Sequence, residues 1–132
     1  MRRTTLLVVV MAVMLVISAG VALAVSGAFT GTNKSETING SSSNDRIAGG
    51  GGNDTISGRG GNDRLFGDFG VDQLTGGSGN DFLNVADHSG GDKVDGRGGT
   101  NTCVFDTGDF GPDGTTPPST ANGNCQPAVL VP

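Results

Sequence analysis

Six aspartates, Asp45, Asp54, Asp63, Asp72, Asp81 and Asp92, recur at intervals of nine residues, with one interval of eleven. Carboxylates at a fixed short spacing can serve acid–base chemistry or hold a cation. Acid–base work needs two environments that drive the pKa values of a pair apart. Aspartates on a strict period share one environment, which suits cation binding. Calcium takes six to eight oxygen ligands in a flexible shell and accepts carboxylates and carbonyls alike. Zinc calls for His or Cys, and the chain offers only His88, Cys103 and Cys125. Magnesium's strict octahedron fits irregular turns poorly. A single histidine in a DHSGG turn builds no Ser-His-Asp set, and no catalytic residue is assigned.

The elements that would position these acids follow from the same period. From Gly31 the chain reads GTNKSETIN, GSSSNDRIA, GGGGNDTIS, GRGGNDRLF, GDFGVDQLT and GGSGNDFLN; after Val85 and Ala86 come DHSGGDKVD and GRGGTNTCV. Each unit has six turn residues followed by three with strand character, and the eighth position is apolar. A three-residue strand points its middle side chain one way and its neighbours the other. Two units complete one coil, so residues 18 apart stack. One inner wall is then Ile47, Leu65, Leu83 and Cys103, and the other Ile38, Ile56, Leu74 and Val94. Sixth-position acids fall on the two edges, Asp45, Asp63 and Asp81 on one, Asp54, Asp72 and Asp92 on the other. Glycines at the turns permit positive φ and close backbone approach. The expected fold class is all-β: a parallel β-roll of about eight nonapeptide units spanning residues 31–104.

GGGGNDTIS matches G-G-x-G-x-D-x-U-x at every position, and its neighbours depart by one or two residues. The chain therefore resembles the RTX, or hemolysin-type, calcium-binding repeat family. That resemblance implies calcium shared between turns two units apart, at Asp45/Asp63, Asp63/Asp81, Asp54/Asp72 and Asp72/Asp92. It also implies ligand carbonyls from the turn glycines, here Gly49, Gly50, Gly52, Gly58, Gly60, Gly61, Gly76, Gly77 and Gly79. Departures weaken particular sites: Glu36 is longer than Asp, Asn101 is neutral, and serines replace glycines in GSSSNDRIA. Asp68, Asp87 and Asp95 lie off the sixth position and read as solvated turn residues. Asp109 lies in the tail, outside the repeat register, and is expected to bind nothing.

The N-terminus reads differently. Arg2 and Arg3 precede the uncharged run Leu6–Val25, and Ala22-Leu23-Ala24 has the small-x-small pattern of a signal-peptidase site. Residues 1–24 are expected to be an export signal, or an uncleaved apolar anchor, since twenty such residues can span a bilayer. Residues 25–30 read as a short linker. Beyond Ala24 six basic residues face thirteen acidic ones, a net charge of −7, which disfavours nucleic acid and favours cations. Leu, Ile, Val and Phe make up about 19% of that stretch, too little for burial alone to offset the ordering of so many glycines. Calcium-dependent folding follows as an expectation. Two cysteines in an exported protein pair, and Cys103 with Cys125 would pin residues 105–132 as a loop-rich C-terminal cap. The protein is expected to be secreted or held at the cell surface, touching membrane only through an uncleaved N-terminus. A rival function is an adhesion module that binds through outward Arg59, Arg64, Phe66, Phe69 and Phe82.

Overall fold

The computed structural model describes residues 23–24, 27–109 and 125–131. Strands β1 (Leu23–Ala24), β3 (Thr37–Asn39), β5 (Thr55–Gly60), β7 (Gln73–Ser78) and β9 (Lys93–Arg97) form one parallel sheet. The second is also parallel, in the order β11 (Cys125–Val131), β10 (Asn101–Asp106), β8 (Phe82–Asn84), β6 (Arg64–Phe69), β4 (Arg46–Gly51), β2 (Ala28–Thr30). The chain passes from one sheet to the other at every unit, so successive coils stack as a β-roll.

Register follows the eighteen-residue repeat. Ile38 pairs with Ile56, Ile56 with Leu74 and Leu74 with Val94 in the first sheet. In the second, Ile47 pairs with Leu65, Leu65 with Leu83 and Leu83 with Cys103. These eighth-position side chains are fully buried and, with Val85 and Phe105, make one thin core between the sheets. The eleven-residue interval is absorbed between β8 and β9. Val85 turns inward there and its N–H donates to the Val104 carbonyl at 3.0 Å.

The roll extends past the repeats at both ends. Ala28–Thr30, read from sequence as linker, is a strand: Phe29 pairs with Ile47 and packs on the core, eighteen residues before it. The tail is less loop-rich than its composition implies. Cys125–Val131 runs parallel to β10 and covers the open edge of the second sheet, anchored by the Cys103–Cys125 disulfide, whose Cα atoms are 5.5 Å apart. In the chain-entropy picture a loop of this size contributes about 3 kcal/mol. The expected export segment lies outside the described residues, apart from Leu23 and Ala24, which pair with Ile38 and Asn39.

Candidate metal centre

Along each edge the sixth-position residues form a ladder. The backbone N–H of Asp45 donates to Asp63 Oδ1 at 2.8 Å, that of Asp63 to Asp81 Oδ1 at 2.9 Å, and that of Asp81 to Asn101 Oδ1 at 2.8 Å. On the other edge Glu36 N–H donates to Asp54 Oδ1, Asp54 to Asp72, and Asp72 to Asp92, at 2.6–2.8 Å. Asn44, Asn62 and Asn80 make a parallel ladder in the fifth position, side-chain oxygen to backbone N–H, on the exposed side. That second ladder was legible in the recurring N-D dipeptides but was missed.

One oxygen of each acid is thus occupied. The other is not. Oδ2 of Asp54, Asp63, Asp72, Asp81 and Asp92 is buried without a hydrogen-bond partner. Burying a charged oxygen without a donor is expensive, so these five atoms, two on one edge and three on the other, are suited to a positive charge.

The local backbone explains why they are bare. Second-position residues Gly50, Arg59, Asp68, Gly77 and His88 all have positive φ, between 64 and 119°. In the first two units the second residues, Thr32 and Ser41, are not left-handed. There the N–H and hydroxyl donate to the acid: Thr32 to Glu36, and Ser41 to Asp45 Oδ2. Where the second residue turns left-handed, no such donor reaches the acid, and Oδ2 is left alone.

Carbonyls gather at the same spot. A Cβ on Gly40 would lie 2.7 Å from the Gly58 carbonyl oxygen, one on Gly49 2.6 Å from that of Gly67, and one on Gly58 2.7 Å from that of Gly76. Each would also press on the Oδ2 of the acid five residues on, Asp45, Asp54 and Asp63; Gly76 repeats this with Asp81 and the Gly96 carbonyl. The first-position glycine leaves open a cradle of oxygens that any larger residue would fill. Among the described residues no three His, Cys, Asp or Glu side chains converge on one point, so carbonyls are the natural complement to these carboxylates. Oxygen donors alone, one charged and the rest neutral, fit a hard cation such as calcium.

Electrostatics tell the same story. Burial pushes Asp54 and Asp63 up to about 6, against backbone donors from Glu36 and Asp45 that lower them and neighbouring carboxylates that raise them. Burial also raises Asp72, Asp81 and Asp92. For Asp45 the burial effect is outweighed by donors from Ser41 and Gly27, and its carboxyl is lowered.

The ligands expected from sequence therefore divide. Asp54, Asp63, Asp72, Asp81 and Asp92 present free oxygens, whereas Asp45 is in the ladder but already has donors on Oδ2. Gly49, Gly58 and Gly76 border the cradles, together with Gly40 and Gly67, which the sequence reading did not single out. Gly50, Gly52, Gly61, Gly77 and Gly79 supply positive φ, and Gly60 is a buried residue at the end of β5. Asp109, which the sequence places in the tail outside the repeat register, is buried at 5% exposed, and its Oδ1 accepts the Asp92 N–H at 3.3 Å, extending the second ladder by a rung. A 3-10 turn at Thr107–Asp109 brings it there, and no nine-residue count would. Asp87 also deviates, accepting the N–H groups of Gly70 and Ser89.

A parallel β-roll whose edges carry stacked carboxylates and glycine carbonyls defines a class of cation-binding repeat. The model of the RTX calcium-binding nonapeptide repeat, four copies long, matches residues 30–65 and 48–83. Residues 30–83 therefore carry repeats of the RTX calcium-binding type, and such repeats imply a calcium-binding β-roll. No curated protein and no solved structure matches the chain significantly.

Proposed function

We propose that the protein is exported and that calcium completes its fold outside the cell. The observation that carries this reading is the set of five buried, unpartnered carboxylate oxygens on the two edges, four of them beside a first-position glycine. Asp63 Oδ2 with the Gly76 carbonyl, Asp54 Oδ2 with that of Gly67, and Asp81 Oδ2 with that of Gly96 are the best-formed donor sets. Asp72 and Asp92 extend the series along the second edge. Calcium, when bound, supplies the positive charge these oxygens lack. In its absence the thin core opposes stacked like charges and the ordering entropy of the glycines. The basic start, apolar run and Ala22-Leu23-Ala24 support export, and a disulfide accords with an oxidising compartment.

Circular dichroism of the purified protein tests this: little strand signal in chelator, and a cooperative gain as calcium rises through roughly 0.1–1 mM, the range of extracellular modules. Identical spectra in chelator and in calcium ten times above that range would end the proposal.

A second reading is favoured by one surface. On the outer face of the second sheet Arg46 stacks over Phe66 at 4.4 Å, Arg64 lies 5.9 Å from the Phe82 ring centre, and the two rings are 5.8 Å apart. On an acidic protein this cationic, aromatic strip suits an anionic glycan: rings stack on sugar faces and guanidinium groups fork carboxylates or sulfates. Phe69, 73% exposed, stands apart at the end of β6, and Arg59 lies in the first sheet.

A further inference from the structure

Seventh positions of three successive coils, Arg64, Phe82 and Thr102, stand side by side on the outer face of the second sheet. Beside them run the fifth positions of the same coils, Asn62, Asn80 and Thr100. The two rows border a cleft of about 300 Å³, with the buried Asp63 and Asp81 between them. That volume lies at the small end of ligand sites, roughly 300–1,000 Å³, and suits one ring-sized unit better than a length of polymer.

The ladder fixes the donors of the cleft. Asn62 Oδ1 accepts the Asn80 N–H and Asn80 Oδ1 accepts the Thr100 N–H, both at 2.8 Å. Only the amide oxygen can meet a backbone N–H, so each Nδ2 is left to donate to a ligand. Thr100 and Thr102 add hydroxyls that both donate and accept. Phe82 offers a half-buried ring, with the Arg64 guanidinium 5.9 Å from its centre.

Charge points the same way. Among the described residues neither Arg64 nor Arg46 forms an ion pair. The two are in register on neighbouring strands, like charges set side by side, which is unfavourable until an anion joins them. The seventh and ninth positions of this sheet, from Arg46 to Val104, include no acid. Asp63 and Asp81 are turned to their own ladder, each Oδ1 on a backbone N–H, so the anionic end of a ligand belongs at Arg64. In the other sheet the equivalent positions are Thr55, Gln73 and Lys93, beside Asn53, Val71 and Gly91, with no ring among them.

We propose that this cleft seats a single anionic hexose, a uronate or a sulfated sugar. Its face lies on Phe82, its charge on Arg64, and its hydroxyls on the Asn and Thr side chains. The assignment rests on the anionic-glycan reading of the strip and narrows it to one sugar at one place. Arg46 and Phe66 lie outside the cleft and would hold the adjoining part of a longer chain.

The test is an NMR titration of the full-length protein, in calcium, with methyl glucuronide, glucose 6-sulfate and neutral methyl glucoside. At least one anionic sugar is expected to bind, the tighter of the two identifying the charged group. The neutral sugar is expected to bind roughly tenfold more weakly or worse, the worth of a charge-assisted contact. Thr102→Val removes a hydroxyl at a strand position that valine accepts. It is expected to raise the dissociation constant roughly 2- to 12-fold, as one lost hydrogen bond would, and Thr102→Ser to restore it. Thr100→Val, at an exposed turn, carries the same expectation and decides the matter should Thr102→Val fail to fold. No single-sugar binding, equal binding of neutral and anionic sugars, or wild-type affinity in both valine variants overturns the cleft. The strip reading survives that result if a sulfated polysaccharide matrix retains the wild type more strongly than Arg64→Ala. Equal retention of the two overturns both.

Discussion

Gly58→Ala isolates the cradle from the charge. Gly58 has no left-handed φ, so alanine there is conformationally acceptable. Such a change ordinarily stabilises a protein by about 0.4–1 kcal/mol, because the unfolded chain loses freedom. Here the new methyl would press on Asp63 Oδ2 and on the Gly76 carbonyl at 2.7 Å, closing the space between coils. One site occupied at a hundred times its dissociation constant contributes roughly 2.7 kcal/mol. The expected net loss in calcium is therefore about 2 kcal/mol, a fall in Tm of roughly 8–16 °C for a domain of this size. Gly51→Ala is the control, since its Cβ would meet nothing nearer than Asn33 at 3.5 Å. Thermal melts followed by circular dichroism, with the calcium midpoint from titration, compare the two. If Gly58→Ala and Gly51→Ala shared the wild-type midpoint and Tm, the cradle would have no part in binding.

Acidity should substitute in part for calcium. Asp54 and Asp63 titrate near 6 in the fold against an ordinary 3.8, so their protonated forms favour folding. That contribution is full below about 3.8 and is lost as pH rises through 6. The metal-free chain is expected to hold more strand at pH 4 than at pH 7.5, and a flat profile in chelator would contradict the burial of these acids. With calcium present the sign reverses, because binding needs ionised carboxylates, and the calcium midpoint should fall from pH 5 to 7.5. For the aromatic strip, Arg64→Ala and Phe82→Ala are expected to weaken retention on a carboxylated or sulfated polysaccharide matrix at an unchanged calcium midpoint. Equal retention of wild type and variants would remove the glycan reading.

Much of the fold is written in the sequence because its geometry is local and repeated. Alternation within three-residue strands sends Ile56 inward between Thr55 and Ser57, and the eighteen-residue coil fixes which walls stack. What escaped was aperiodic. Phe29 could have been found by counting eighteen back from Ile47, but its unit lacks an acid and most turn glycines. The strand Cys125–Val131 contains Pro127 and no repeat, and gains its place from a covalent link and an open sheet edge. Asp109 depends on a 3-10 turn whose position no period encodes. Within the site the acids were legible, whereas the difference between Asp45 and Asp63 was not. It turns on whether the second residue of the unit is left-handed, as Arg59 is and Ser41 is not.

Every sheet pairing within the repeats joins residues eighteen or twenty apart, so each coil touches only the coils before and after it. Chain length is then a free variable, within limits set by the caps. Deleting eighteen consecutive residues, 49–66 for instance, would leave every wall, rung and turn in phase, one coil shorter. Deleting nine would exchange the two sheets downstream, carrying Phe82 and its neighbours, with Cys103 and Cys125, to the side of the roll opposite Phe29 and Ile47. Heritable gain or loss of repeat units should accordingly be tolerated in pairs and selected against singly. The gene beneath this protein has a natural quantum of fifty-four nucleotides, set by two units of nine codons.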